Sequence, residues 1–439
     1  MALENDGVPS VAVHTQSFVR LARAVARTNG MPTTRQAFVP QPVVGRTRAE
    51  LRAYIEGEDP DSRQPFAREL IEGLTKPLTD EDLSGLSFTR DTPRLLDPGD
   101  EDDLQQLFVD NSWTDGLPVI LPTEKRVQAM LGGTSYSPDE VVGRMSPTLF
   151  REKWEFTVEK VAVNAVMAGA RPEYFPVILA LAASGRSARG SSTSSHASIA
   201  FVNGPVRKEI GMNTGIGALG PWSHPNMTIG RAYGLLSQNL QGGSVPGESY
   251  MGSQGNPLST SLVFPENEED SPFEPFHVAN GWDRDASTIW IGYGGFYKIT
   301  GTGPRDNWEE RFRHCLEACD PTEAPVLILD PLAAKEFSYR GYDRRKIQEW
   351  MAANSLVRAR DYWDNLWSQV SLRPLGVSGV EPYASHLKAD PDDLVQMFPA
   401  DDVIVVVTGG STQPVWKMIG AMGGMSMGGA GLCSIDDWR

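Results

Sequence analysis

A glycine turn after a buried strand is the segment best suited to hold a ligand. The apolar run 403–408 predicts a strand. It is followed directly by Gly409, Gly410, Ser411 and Thr412. Such a turn at the carboxyl end of a parallel strand presents backbone N–H groups and hydroxyls to an anion, and Lys417 adds a positive charge nearby. The alternative is a tight turn without a ligand, because Pro414 stands where a phosphate-binding helix would begin.

Histidine and glutamate side chains in the centre of the chain are suited to proton transfer. Three of the six histidines, His196, His224 and His277, lie in polar segments. Glu266 and Glu268 belong to an acidic run that follows a proline. We expect these five side chains to be catalytic, since a histidine or carboxylate next to a substrate acts as a general acid or base. The alternatives are structural histidines and a solvated acidic turn.

Arginine and asparagine side chains of the same region are suited to hold an anionic substrate. Guanidinium groups bind carboxylates through paired hydrogen bonds, and amides supply further donors. The candidates are Arg171, Asn203, Arg207, Asn213, Asn226 and Arg231. Together with the glycine turn, they predict a polar pocket for a small anionic metabolite.

The cysteine and methionine spacing leaves metal binding open. Cys315 and Cys319 can share one face of a helix, but no second cysteine pair completes a zinc site. The glycine- and methionine-rich segment 419–433, which includes Cys433, offers soft ligands or packs as a C-terminal loop. The cofactor is therefore unknown, with a divalent metal as an option.

Hydrophobic spacing predicts the elements that must position these side chains. Helices are expected at 17–27, from about 104, at 157–170, 173–183 and 342–352. Strands are expected at 117–121, 198–203, 260–264, 288–293, 324–330 and 403–408. The last two strands are apolar throughout, which is typical of a parallel sheet covered on both faces.

These elements predict an α/β fold with mixed or parallel sheets covered by helices. We expect an extended, partly irregular N-terminal arm at 1–95, a central α/β domain at 96–301 and a C-terminal α/β module at 302–439. An arm that buries little by itself indicates a homo-oligomer, in which it wraps a neighbouring subunit.

Composition and charge exclude several classes of protein. The net charge of -16 disfavours nucleic acid and anionic membranes as partners, and no basic patch offsets it. No apolar stretch reaches the length of a membrane span, and the N-terminus does not resemble a signal peptide. Three cysteines, an odd number, fit a reducing compartment. We therefore expect a cytoplasmic protein.

Four central segments carry a family resemblance. They are Trp113–Pro118, Val158–Tyr174, Val202–Pro205 and Glu266–Pro272. Over residues 105–330 the chain resembles a family of bacterial proteins, some of which are associated with a UGSC-motif thiol or selenol domain. The resemblance implies sulfur or redox chemistry and a thiol-domain partner protein. The sequence contains neither UGSC nor CxxC, so this chemistry is not transferred to any residue here.

The residues themselves favour an enzyme that acts on a small anionic metabolite. Lyase or hydrolase chemistry is preferred to redox chemistry, because no nucleotide-binding fingerprint and no cysteine redox pair is recognised. The alternative is a non-catalytic partner subunit or a metal-binding protein of a redox or sulfur pathway.

Overall fold

A computed structural model of the chain describes most of its residues. The described residues are 8–28, 33–43, 45–77, 94–144, 155–189, 197–243, 245, 250, 252, 255–256, 262–303, 306–422 and 430–439. They fall into two compact units, one built from 1–100, 144–155 and 245–249, the other from 101–143, 156–244 and 250–439. No helix among the described residues is long and apolar enough to cross a membrane.

The smaller unit has a mixed set of short elements. They are β1 (Ala12–Thr15), α1 (Val19–Thr28), β2 (Gln36–Val39), α2 (Arg48–Glu56) and α3 (Phe66–Thr75). β1 and β2 pair in parallel, and Ala37 and Val39 of β2 form an apolar cluster with Phe66 of α3. The N-terminal arm therefore contains a folded unit with an apolar cluster of its own.

The remaining elements belong mainly to the larger unit. Its helices are α4 (Glu101–Asp110), α5 (Glu124–Leu131), α6 (Val158–Met167), α7 (Phe175–Ala183), α8 (Val206–Glu209), α9 (His224–Asn239), α10 (Phe276–Ala279), α11 (Trp308–Glu317), α12 (Pro331–Tyr339), α13 (Arg344–Ala353), α14 (Ala359–Asp364), α15 (Arg373–Val377) and α16 (Tyr383–His386). Its strands are β3 (Val141–Arg144), β4 (Glu155–Thr157), β5 (Ile199–Asn203), β6 (Leu262–Pro265), β7 (Thr288–Thr302), β8 (Glu323–Leu329), β9 (Leu356–Arg358), β10 (Leu394–Gln396), β11 (Ile404–Val407), β12 (Val415–Met422) and β13 (Ala430–Ser434).

A seven-stranded mixed sheet forms the centre of the larger unit. Its strand order is β11-β8-β12-β7-β5-β6, and β13 pairs with β7. The pairs β5–β6 and β8–β11 are parallel, whereas β7 and β12 are antiparallel to their neighbours. This arrangement confirms the α/β class and the parallel pairing expected of the strand at 403–408.

Alternate residues of the central strands belong to different apolar clusters. Phe201 of β5 shares a cluster with Val326 of β8, on one face of the sheet. Val202 belongs to the cluster of α6, α7 and α9, and Leu327 to the cluster of α11, α12 and α13, on the other face. Because both faces are buried, the strands have no polar alternation in their sequence.

The sheet curls until its two edge strands meet. Asn267 N, just after β6, donates a hydrogen bond to Val407 O of β11 at 2.7 Å. Thr408 Oγ1 donates to Pro265 O at 2.8 Å. The curl brings the segments that follow β6 and β11 together, which is where ligand sites of α/β sheets are found.

The expected helices and strands are largely confirmed. The prediction of a strand at 117–121, however, is wrong. That segment has no strand partner, and Leu117 and Ile120 are exposed. The side chain of Gln105 instead bonds both Val119 N and Val119 O, at 3.1 and 2.8 Å. A side-chain amide thus satisfies the backbone that a neighbouring strand would otherwise satisfy.

Two further expectations are modified by the long strands. β7 crosses the boundary expected at 301/302 and pairs with strands from both sides of it. The C-terminal segment 419–433 is not a loop throughout, because β12 extends into it and β13 closes it, while 423–429 lie outside the described residues.

Candidate functional site

A cavity of about 230 Å³ opens beside the glycine turn that follows β11, and we call it the Gly410 cavity. It is lined by Ile216, Gly217, Ala218, Leu219, Gly220, Ile328, Asp330, Thr408, Gly409, Gly410, Thr412, Gln413, Val415, Trp416 and Lys417. Four of the five residues predicted to bind an anion here are thus placed on one cavity wall. Ser411 is exposed and does not line it.

The glycine turn is fixed by contacts from two other segments. Gly409 N donates to Thr214 O at 2.9 Å, and Asn267 Nδ2 donates to Gly409 O at 3.1 Å. A Cβ added to Gly410 would lie 2.3 Å from Ile216 Cγ1 and 2.8 Å from Ile216 N, so the position requires glycine. The N–H of Gly409, which was expected to be available to a ligand, therefore donates its hydrogen bond within the protein.

Asp330 and Lys417 give the Gly410 cavity one carboxylate and one ammonium group. Asp330 follows β8 and begins α12, where Oδ1 accepts from Ala333 N at 2.7 Å and Oδ2 from Val415 N at 2.5 Å. Burial raises the pKa of Asp330, although these N–H donors act in the opposite direction.

A second cavity, of about 620 Å³, adjoins the first, and we call it the Arg171 cavity. It is lined by Arg171, Tyr174, Ile210, Gly211, Asn213, Ile216, Gly217, Pro221, Trp222, Ser223, His224 and Pro225. Ile216 and Gly217 line both cavities, so the loop 211–223 is their common wall.

The N-terminus of α9 lies in the wall of the Arg171 cavity. Ser223 is the N-cap residue, yet its side chain makes no capping hydrogen bond, and Pro225 in the first turn has no N–H to offer it. Ser223 is 7% exposed, and its Oγ has no hydrogen-bond partner among the described residues. A buried hydroxyl at the positive end of a 16-residue helix is thus without a described hydrogen-bond partner.

His224 is the first residue of α9 and is held by Tyr174, the two forming a pair at the cavity wall. The Tyr174 hydroxyl lies 3.3 Å from His224 Nδ1, and the rings are 5.8 Å apart. Burial lowers the pKa of His224, and the positive charge of Arg171 lowers it further. Burial also raises the pKa of Tyr174. Both groups are consequently neutral at pH 7, the histidine as a base and the phenol as an acid.

The loop between the cavities is held by asparagines. Asn226 Nδ2 donates to Asn213 O and Ala218 O, both at 3.1 Å, and Asn213 Nδ2 donates to Ile216 O at 2.9 Å. These two predicted substrate ligands therefore position the loop. Trp222 is 98% exposed and has a φ of 79°, a left-handed conformation that costs a tryptophan of the order of 1–3 kcal/mol.

The loop also contains a glycine spacing that the sequence interpretation overlooked. Residues 215–220 read GIGALG, which fits GxGxxG. The segment follows the short helix α8 rather than a strand, so it lacks the strand–turn–helix context of a dinucleotide site. It does lead to the N-terminus of α9, as glycine loops of anion sites do.

The predicted catalytic carboxylates lie in a buried polar cluster, which we call the strand-end cluster; it comprises Asn203, Arg207, Glu266, Glu268, His277 and Arg344. Glu266 is fully buried and accepts from Asn203 Nδ2 at 2.5 Å, Phe276 N at 2.7 Å and Arg344 Nη2 at 2.6 Å. None of the cluster residues lines either cavity.

Glu268 connects the remaining members of the strand-end cluster. It accepts from Gly204 N at 2.8 Å, and its other oxygen lies 2.7 Å from Arg207 Nη2. A Cβ at Gly204, whose φ is 84°, would lie 2.1 Å from Ala286 O, so only glycine allows this contact. His277 is fully buried, with Nδ1 3.9 Å from Glu268 Oε1.

The structure thus separates the predicted histidines and arginines. His224 lines the Arg171 cavity, His277 belongs to the strand-end cluster, and His196 lies outside the described residues. Arg207 is paired with Glu268 and Glu269, and Arg231 with Asp115 at 3.0 Å. Arg171 is exposed and has no carboxylate partner among the described residues.

Metal ligands are not grouped in the described part of the chain. No set of three or more His, Cys, Asp or Glu residues there could hold a metal ion. Cys315 and Cys319 are buried and unbonded to each other, and burial raises the pKa of Cys315 to about 11. Burial also raises the pKa of Cys433.

The fold and site define an α/β protein with a curled mixed sheet and two adjoining cavities, one of them beside the end of β11. Residues 1–59 match the model of the UGSC family. This confirms the expected relation to a UGSC-type domain, in a segment that precedes the resemblance at 105–330. The matched segment contains no cysteine. No curated protein and no solved structure matches the chain significantly.

Proposed function

We propose that this chain is an enzyme that binds a small carboxylate metabolite in the Arg171 cavity and transfers a proton to or from it. The reaction is of lyase or hydrolase type. One observation carries the proposal: Arg171, Ser223 and His224 line a single cavity at the N-terminus of α9.

The anion would be held by Arg171 and the end of α9. Arg171 is exposed to the cavity and has no described carboxylate partner, unlike Arg207 and Arg231. The helix end supplies a partial positive charge, and Ser223 supplies a hydroxyl. One arginine can hold a carboxylate through two parallel hydrogen bonds.

His224 would act as the general base. Its lowered pKa keeps the imidazole neutral at pH 7, and Tyr174 orients the ring from Nδ1. Because Arg171 lies close to His224, a carboxylate bound there would place the adjacent carbon or water within the reach of the imidazole.

A metabolite extract tests this proposal. We expect the purified full chain to consume a carboxylate metabolite, detected by mass spectrometry, and His224→Gln to slow the consumption by about 10²–10⁴-fold. Arg171→Ala should raise KM, whereas Arg360→Ala, which breaks an exposed pair with Asp392, serves as the matched control. Consumption at the wild-type rate by both cavity variants would show that the site lies elsewhere.

The pH profile of kcat/KM gives an independent test. Since burial and Arg171 lower the pKa of His224, the acid limb should lie below the ordinary histidine value of about 6.5. Arg171→Ala should move this limb to higher pH, because it removes the positive charge. An unmoved limb would exclude His224 as the titrating base.

The match at residues 1–59 favours a second candidate, a non-catalytic subunit that works with a thiol-domain protein. This candidate gains support if His224→Gln leaves all activity of the complex unchanged.

We also propose that the protein is a cytoplasmic homo-oligomer. Cell fractionation and light scattering test these two statements, and a stable monomer at micromolar concentration would refute the second.

A further inference from the structure

The two cavities meet at one exposed apolar side chain. Ile216 lines both of them and is 73% exposed. Its backbone is fixed, because Asn213 Nδ2 donates to Ile216 O and Gly410 packs directly against it. An aliphatic side chain shared by the two cavities is suited to contact the carbon chain of a ligand that reaches both.

The charges of the two cavities differ. The Arg171 cavity carries an arginine and the positive end of α9. The Gly410 cavity carries Asp330 and Lys417, whose charges balance, together with the backbone groups of glycines on both walls. A second carboxylate entering the Gly410 cavity would approach Asp330, whereas an uncharged polar group can use both donors and acceptors there.

We infer that the two cavities are subsites of one elongated binding site. The substrate carries a carboxylate in the Arg171 cavity and an uncharged hydrogen-bonding end, such as a carboxamide, in the Gly410 cavity. Ile216 contacts the chain between the two ends and determines which lengths are accepted. This inference rests on the proposed function, because it takes the Arg171 cavity as the carboxylate subsite.

Binding of simple carboxylates to the full chain tests the inference, with ligand-observed NMR as the readout. The probes are acetate, which is too short to pass Ile216, succinate and glutarate, and the monoamides of these two diacids. One added hydrogen bond and the buried methylenes should make the better-fitting monoamide bind about tenfold more tightly than acetate. It should also bind more tightly than the diacid of equal length.

Ile216→Trp should remove the advantage of the monoamides over acetate, while Ile216→Ala should shift the preference to the longer monoamide. Both variants should fold, because the side chain is largely exposed. Ile71→Trp, at a position 62% exposed on α3, is the matched control.

The outcomes separate the inference from the proposed function. The inference is overturned, and the proposed function stands, if Arg171→Ala abolishes acetate binding while the monoamides bind no more tightly than acetate and Ile216→Trp has no effect. Acetate binding that does not depend on Arg171, or no carboxylate binding at all, overturns both.

Discussion

Replacing Glu266 with glutamine should destabilise the larger unit rather than remove a catalytic group. The Glu266 carboxylate is fully buried and pairs with Arg344, which is 7% exposed and lies over the Phe276 ring at 5.3 Å. No other carboxylate among the described residues pairs with Arg344. Glutamine keeps the shape but leaves this guanidinium as an uncompensated buried charge, at a cost of about 3–5 kcal/mol.

Urea unfolding of the full chain measures this cost. With a urea m-value of about 3 kcal/mol per M, the midpoint of Glu266→Gln should fall by about 1–1.7 M. Glu274→Gln, at an exposed position nine residues after the end of β6, should not move the midpoint by a measurable amount. In Glu266→Gln/Arg344→Met the buried charge is gone. The double variant should therefore be more stable, by at least about 1 kcal/mol, than the sum of the two single-variant losses predicts.

Activity decides between the structural and the catalytic interpretation of Glu266. If Glu266→Gln keeps the wild-type midpoint and loses turnover, the carboxylate is catalytic and the argument from burial is refuted. If the midpoint falls and the folded fraction retains turnover at low temperature, the strand-end cluster stabilises the fold and Glu266 is not catalytic.

Three other substitutions have defined outcomes. Gly410→Val should displace Ile216 and cost about 1–3 kcal/mol, seen as a lower melting temperature together with weaker binding of the monoamide probes. Glu269→Gln should destabilise the protein at pH 7. Burial raises the pKa of Glu269, but Arg207 and a neighbouring lysine lower it to about 2, so the wild type loses this stabilisation as the carboxylate protonates between about pH 4.5 and 2. The loss of stability in the variant should therefore shrink over that range, and a loss independent of pH would contradict this. Trp222→Gly should leave stability unchanged or raise it by up to about 1 kcal/mol while weakening acetate binding, and a clear loss of stability would contradict the strain at that residue.

The strands at the centre of the sheet could be predicted because both of their faces are buried. Residues 324–330 and 403–408 have no polar alternation, and the structure pairs them in parallel, as β8 and β11. The segment 117–121 has a similar composition, but Gln105 satisfies its backbone and no strand lies beside it. The sequence alone does not distinguish these cases, because the deciding contact comes from a side chain 14 residues away.

The glycine turn was located by the same reasoning, whereas the proposed carboxylate site was only partly anticipated. Arg171 and His224 were singled out separately, from different segments. Their meeting depends on the packing of α7 against α9, which periodicity does not specify. Ser223 could have been recognised, since a serine followed two residues later by proline marks the start of a helix.

The three candidate arginines show why residue type and region were insufficient to choose among them. A chain with a net charge of -16 offers many carboxylates, and an arginine that faces one from within a helix is neutralised by it, as Arg207 and Arg231 are. Arg171 precedes a proline at the turn into α7, where its backbone is extended and its side chain is exposed. Of the three, Arg171 is therefore the one that the fold places at a turn beside a cavity, away from Asp115, Glu268 and Glu269, which pair with the other two.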